Sequence, residues 1–244
     1  MLKKVENIAE LDFLPADPFC ARITALANTY GFNYDFAKFY VQDGNAAMSS
    51  LDGNINLYAD ENADFEEIKA FLDFAGFATV QSSEENLKKL GYEPADSSYI
   101  CLYDGAEVVK PDNFTDSYDY KEIYKLLADA GFPMGDYNSF LSDIAARVNK
   151  GNAAFGGIAT DKLESCAFRL FEGNKSVLLG AIVTNPLCKG KGLARALVPY
   201  MAQTDKKAYV FCRNDSLLGF YEKLGFSLYG RWAIINNEPI QYFK

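Results

Sequence analysis

Histidine is absent from this chain. The side chain whose ordinary pKa lies nearest neutrality is therefore unavailable as base, nucleophile partner or metal ligand, and proton transfer falls to carboxylate, tyrosine or water. Basic residues are also short: 24 Lys and Arg stand against 33 Asp and Glu, a net charge of −9. That balance opposes the phosphate backbone, so no nucleic-acid partner is expected. Cysteine is sparse and odd in number, with Cys20, Cys101, Cys166, Cys188 and Cys212 scattered and several in apolar settings such as Val210-Phe211-Cys212. No disulfide or metal-ligand spacing results, so reduced core thiols and no metal are expected. No apolar run reaches the roughly 18 residues that cross a bilayer, and no basic-then-apolar leader stands at Met1. The expectation is a cytoplasmic protein with no membrane partner.

What is present is a packed chain. Apolar residues make up 49% and aromatics 15% of 244 residues, enough for one large domain or two small ones. Phe19, Ile23, Leu26 and Ala27 share one helical face between Asp17 and Tyr30, with Gly31 as the stop. Asp43-Gly44-Asn45 and Asp52-Gly53 then separate three short strands over 36–41, 46–50 and 54–59, the pattern of antiparallel hairpins. A helix from Phe65 to Ala75, a strand over 77–80, a helix over 84–90 and a strand over 98–103 follow. Gly105 to Ser117, carrying Lys110-Pro111-Asp112-Asn113, reads as a connector.

The same order then repeats. Helices are expected at 120–130 and 137–148 and strands at 153–159, 164–171, 176–183 and 207–213. Glu172-Gly173-Asn174 echoes Asp52-Gly53-Asn54, and Phe220-Tyr221-Glu222-Lys223-Leu224-Gly225-Phe226 aligns with Asn86-Leu87-Lys88-Lys89-Leu90-Gly91-Tyr92. Lys and Leu before a terminal Gly also arise by chance in helices, so the matching order of elements carries the repeat. Two units, 1–110 and 111–244, are expected.

In the second unit Ser176 to Val183 is a β-favouring run that Pro186 ends. Lys189-Gly190-Lys191-Gly192-Leu193-Ala194 follows, and Leu193, Ala194, Leu197, Val198 and Met201 fall at helical spacing. Glycines without Cβ, ahead of the free N–H groups of a starting helix, suit an anion. Taken alone, they equally suit a flexible turn. The spacing excludes G-x-x-x-x-G-K-[ST], and Arg195 stands where G-x-G-x-x-G needs its third glycine.

Lys189 to Ala194 resembles the [QR]-x-x-G-x-[GA] loop of the GNAT superfamily of acyl-CoA-dependent N-acetyltransferases, with lysine in place of Gln or Arg. Val210 to Phe226 resembles that family's second motif. The resemblance covers 151–229 well, 119–150 by element order, and the first half as a faded copy. It implies an α+β fold of two GNAT-like units, each a mixed, mostly antiparallel sheet flanked by helices. It further implies that Lys189, Gly190, Lys191, Gly192, Leu193 and Ala194 hold the pyrophosphate of acetyl-CoA and that the backbone of Ile182, Val183 and Thr184 pairs with its pantetheine arm. By the same resemblance Asn214 touches the coenzyme and Tyr221 donates a proton to the departing sulfur.

A phenol near pKa 10 suits that proton transfer, although a half-buried aromatic on an amphipathic helix looks the same in sequence. An N-cap residue would likewise look like Asn214. No base is assigned. The strand before the loop holds no acid, and Glu172 beside Gly173 reads as a turn residue. The expected activity is transfer of the acetyl group of acetyl-CoA to a primary amine of a small-molecule acceptor. The alternative is an acyl-CoA sensor or scaffold with little catalysis. The first half, with Asp60-Glu61-Asn62-Ala63-Asp64-Phe65-Glu66-Glu67 where the second has its glycines, and Leu87 opposite Tyr221, is expected to bind no coenzyme.

Overall fold

The computed structural model describes residues 1–132 and 134–237. The first half runs β1 (Leu2–Lys4), α1 (Pro18–Tyr30), β2 (Ala37–Gln42), β3 (Ala46–Leu51), β4 (Asn54–Ala59), α2 (Phe65–Ala75), β5 (Thr79–Ser83), α3 (Glu84–Lys89) and β6 (Ser98–Tyr103). The second runs β7 (Phe114–Thr115), α4 (Tyr120–Asp129), α5 (Tyr137–Asn149), β8 (Ala154–Ala159), β9 (Leu163–Glu172), β10 (Ser176–Thr184), α6 (Leu193–Ala202), β11 (Lys207–Cys212), α7 (Asp215–Glu222) and β12 (Phe226–Asn236). Each half thus contributes six strands in the same order, with one helix before its fifth strand and one before its sixth.

Local chemistry sets these elements. Asp52 and Gly53 both adopt positive φ, 47° and 78°, and join β3 to β4 in the two-residue hairpin whose twist matches the strands. Asp17, Asp64, Ser83, Asp119, Asp136 and Asn214 each accept backbone N–H bonds at the start of a helix, which answers donors that a first turn leaves free.

The two units share one sheet, ordered β1-β2-β3-β4-β5-β12-β6-β11-β10-β9-β8-β7. The order is palindromic, because the last strand of each half inserts beside the fifth strand of the other. β12 pairs with β5 (Trp232 opposite Ser83) and β6 with β11 (Cys101 opposite Val210). Only β4–β5 and β10–β11 run parallel among the described pairs.

Alternation along the strands puts side chains on two faces. Val177, Leu179 and Val210 pack with Leu197, Val198, Met201 and Tyr221 on one face. Leu178 and Tyr209 pack with Phe19 and Ala21 of α1 on the other. α1 therefore lies across the second half. Ser176 Oγ donates to Asp17 O at 2.8 Å, Tyr209 OH to Ala16 O at 2.7 Å, and Lys175 Nζ to Asp12 O and Leu14 O, both at 2.8 Å. The approach is close enough that a Cβ on Gly173 would stand 2.6 Å from Ala21 Cα. Among the described residues no helix is long and apolar enough to cross a membrane.

Candidate functional site

β10 and β11 run side by side from Ser176 opposite Lys207 to Leu179 opposite Val210, and their pairing ends there. β10 continues to Thr184, paired only with β9, so its edge toward β11 carries backbone groups that no strand answers. Along β9, Gly180 faces Phe168 and Val183 faces Cys166, leaving Ala181 and Ile182 opposite the single residue Ala167. This is a β-bulge, and Ala181 sits in it at φ 49°. A non-glycine residue in that region costs roughly 1–2 kcal/mol, and bulges re-aim side chains or end pairing beside functional sites.

The loop after β10 turns through Pro186–Cys188 as a short 3-10 helix, Asn185 Oδ1 accepting from Leu187 N at 3.0 Å. Gly190 and Gly192 follow at φ 82° and 79°, each with open space where a Cβ would be. Gly192 heads α6, which among the seven α-helices of the described chain alone lacks a side-chain cap. It also has no acid in its first turn, and Arg195 there is exposed. An uncapped helix start with cationic flanks favours an anion. Lys189 is exposed, and Lys191 Nζ stands 3.5 Å from Glu164 Oε1. Leu193 and Ala194 anchor the helix against the core.

Where β10 and β11 part, a cavity of about 430 Å³ opens, and Ile182 and Tyr221 both line it. Tyr221 is 6% exposed, and its ring meets Phe220 and Phe226 edge-on, with centroids 5.3 and 5.4 Å apart. Burial first, then the neighbouring thiols of Cys212 and Cys101, pushes its phenol above the usual range and keeps it protonated. Val183 points away into the core beside α4 and α5, and Thr184 Oγ1 meets Ser165 Oγ at 3.0 Å. Asn214 caps α7, Oδ1 accepting from Leu217 N at 3.0 Å, and does not line the cavity, though Arg213 and Leu217 beside it do. The glycine loop lies beyond the cavity lining, at the far end of β10. Glu172 is turned to Arg169, 3.6 Å away, and also does not line it.

Sequence reasoning missed Arg22, Gln81, Phe171 and Trp232, which line the cavity from the opposite face of the sheet. One signal existed. Arg22 is the only charged residue in an otherwise uncharged and largely buried helix.

The matching place in the first half is also open, a cavity of about 700 Å³ lined by Tyr58, Ala59, Ser83, Glu84, Glu85 and Asn86, but it is built differently. β3 and β4 pair without a register shift. The β4 carbonyls of Leu57 and Ala59 accept from Ser82 Oγ and Asn86 Nδ2, both at 2.9 Å. Asp64 caps α2, accepting from Glu67 N at 2.9 Å, and Glu66 and Glu67 occupy its first turn. Leu87, opposite Tyr221 in the repeat, is fully buried.

No protein-family model and no curated protein matches the sequence. Solved structures do match the fold. An acetyltransferase of the GNAT family from Colwellia psychrerythraea is 13% identical, over 98% of this chain and 100% of that one, with a TM-score of 0.56. A tandem GNAT protein from the clavulanic acid biosynthesis pathway is 14% identical, over 96% and 97%, with a TM-score of 0.57. A GCN5-related N-acetyltransferase from Sphaerobacter thermophilus is 14% identical, over 96% and 94%, with a TM-score of 0.56. The fold is that of a tandem GNAT protein.

Proposed function

We propose that this chain transfers the acetyl group of acetyl-CoA to a primary amine of a small-molecule acceptor, using the second half as its donor site. The observation that carries the reading is the single path along β10. An uncapped glycine-headed helix stands at one end, an unpaired bulged strand edge lies between, and a cavity walled by Tyr221 opens at the other end. Pyrophosphate, pantetheine and thioester follow one another in that order along the coenzyme.

In this reading the N–H groups at Gly190 to Ala194 take the pyrophosphate and the free edge at Ile182 to Thr184 takes the pantetheine amides. Thioester and amine meet where the strands part. The amine nitrogen attacks the carbonyl carbon, whose oxygen gains negative charge that a free main-chain N–H of the bulge can stabilise. The C–N bond forms and the C–S bond breaks. Tyr221 gives its proton to the leaving sulfur and regains one from solvent, while the proton lost by the amine leaves with water, since no carboxylate among the described residues lines the cavity.

Acetyl-CoA should raise the melting temperature by mass action, and thiol should be released when an accepted amine is added. Absence of any melting shift at millimolar coenzyme would overturn the reading.

A further inference from the structure

The acceptor side of the cavity carries a charge that no described residue pairs with. Among the described residues two arginines and no Asp or Glu line it, in a chain whose net charge is −9. Arg22 reaches it from α1. Its Nη1 donates to Gln81 Oε1 at 2.8 Å, and its Nε is buried without a partner. The carboxylate that acts on it, Asp143, is already engaged: it takes Arg147 Nη2 and, at 3.2 Å, Nε, and accepts from Tyr30 OH at 2.5 Å. Arg147 is thereby matched, while Arg22 keeps a neutral amide and, at 5.3 Å, the ring of Phe171. Burial, then the like charge of Arg147, lowers the Arg22 pKa to about 10, and Asp143 offsets this only in part.

A half-buried guanidinium whose Nε is buried without a partner is costly unless an anion arrives to meet it, and its fork suits a carboxylate. Trp232 Nε1 is a second buried donor without a partner in the same cavity. The rest of that wall is aromatic, with Phe211 and Trp232 stacked at 4.6 Å and Phe171 beside them. A polycation would meet two arginines with no acid to receive it.

We propose that the acceptor is an amino carboxylic acid with an apolar side chain, and that Arg22, supplied by the first half, is the residue that reads its carboxylate. The inference rests on the acyl-transfer reading for the amine and on the cavity alone for the carboxylate, so the two are tested apart.

For the full chain with acetyl-CoA, thiol release is compared for L-leucine and L-phenylalanine, their carboxamides, and spermidine. The acids should exceed their amides by about 100-fold in kcat/KM, the scale of a buried charge pair losing one partner. This is expected although the amides' amines are less basic and more fully deprotonated. Arg22→Gln should bring acid and amide to within a few-fold, chiefly through KM, and Arg22→Lys should keep part of the preference. Both variants should retain the acetyl-CoA melting shift, which shows them folded. Separately, calorimetry without coenzyme should show N-acetyl-L-phenylalanine binding, its amide failing to bind, and Arg22→Gln abolishing the difference. Amides or spermidine outpacing the acids would overturn the proposal, as would a preference that survives in Arg22→Gln. If no amine is acetylated, the calorimetry decides. Carboxylate-dependent binding lost with Arg22 supports the proposal, and equal or absent binding of acid and amide overturns it. Loss of the melting shift in the wild-type chain sinks the acyl-CoA reading instead.

Discussion

Burial raises the pKa of both Tyr221 and Asp17, with different consequences. For Tyr221 it holds the proton on a phenol that serves the proposed transfer only when protonated. Tyr221→Phe should slow turnover about 100-fold, the usual scale for a lost positioned acid, with coenzyme affinity nearly intact. Because its folded pKa lies above 10.0, the rate from pH 6 to 9 should rise with deprotonation of the amine and show no descending limb from this residue. A profile measured in saturating acetyl-CoA checks both. For Asp17, burial raises the carboxyl from 3.8 to about 6 against the pull of the N–H groups of Phe19 and Cys20. The folded chain then holds this proton more tightly than the unfolded one, so the stability linked to it is complete below pH 3.8 and is lost as pH rises toward about 6. Asp17→Asn keeps an oxygen for the cap and removes the charge. It should therefore stabilise the protein on the order of 2 kcal/mol at pH 8. Urea unfolding at pH 8 and near pH 4 should show the gain at the first and none at the second.

Among the elements, α6 differs from its fellows by what its start lacks. Gly192→Glu would place a carboxylate and a strained φ at that start, and should abolish the acetyl-CoA melting shift. Calorimetry should give one coenzyme site per wild-type chain and none in the variant; two sites would mean that β4 and α2 bind as well. Gly173→Ala tests the contact of α1 with the second half. Its methyl would meet the backbone of α1, so a loss of about 1–3 kcal/mol is expected, read as a melting point lower by about 2–4 °C per kcal/mol. Much of this level was legible beforehand, since β4, α2, β6, the starts of α4 and α5, and the repeated order of elements follow from turn residues, caps and apolar spacing. The sequence pattern predicts the first half's fifth strand at 77–80, whereas it stands at Thr79–Ser83, because Gly76 ends α2 but the chain enters the sheet only beyond Ala78. β1, β7 and β12 went unseen. The first two are too short to show a period, and β12 carries Ser227, Tyr229, Gly230 and Arg231 along a strand whose partners come from the other half. The glycine loop and Tyr221 were legible as a motif. Arg22, Gln81 and Trp232 were not, because only the shared sheet brings them to β10.

At the scale of the whole molecule, that sheet makes the halves interdependent. Without β6, β11 and β12 lose the strand between them, and without β12 the same holds for β5 and β6. Residues 1–110 and 111–244 expressed apart should each lack a cooperative thermal transition, while co-expression should restore one transition and its acetyl-CoA shift. A sharp, ligand-sensitive transition in 111–244 alone would show that the exchange is dispensable. The palindrome also sets an order in time. The ribosome releases β1 to β6 long before it makes the strand that must lie between β5 and β6, so the first half waits with that gap unfilled until β12 (Phe226–Asn236) emerges. Pairings of such long sequence separation are slow to form. Chains stalled on the ribosome after residue 110 should remain protease-sensitive, and protection should appear only on release. The synthesis of the second half thus decides when the first can fold.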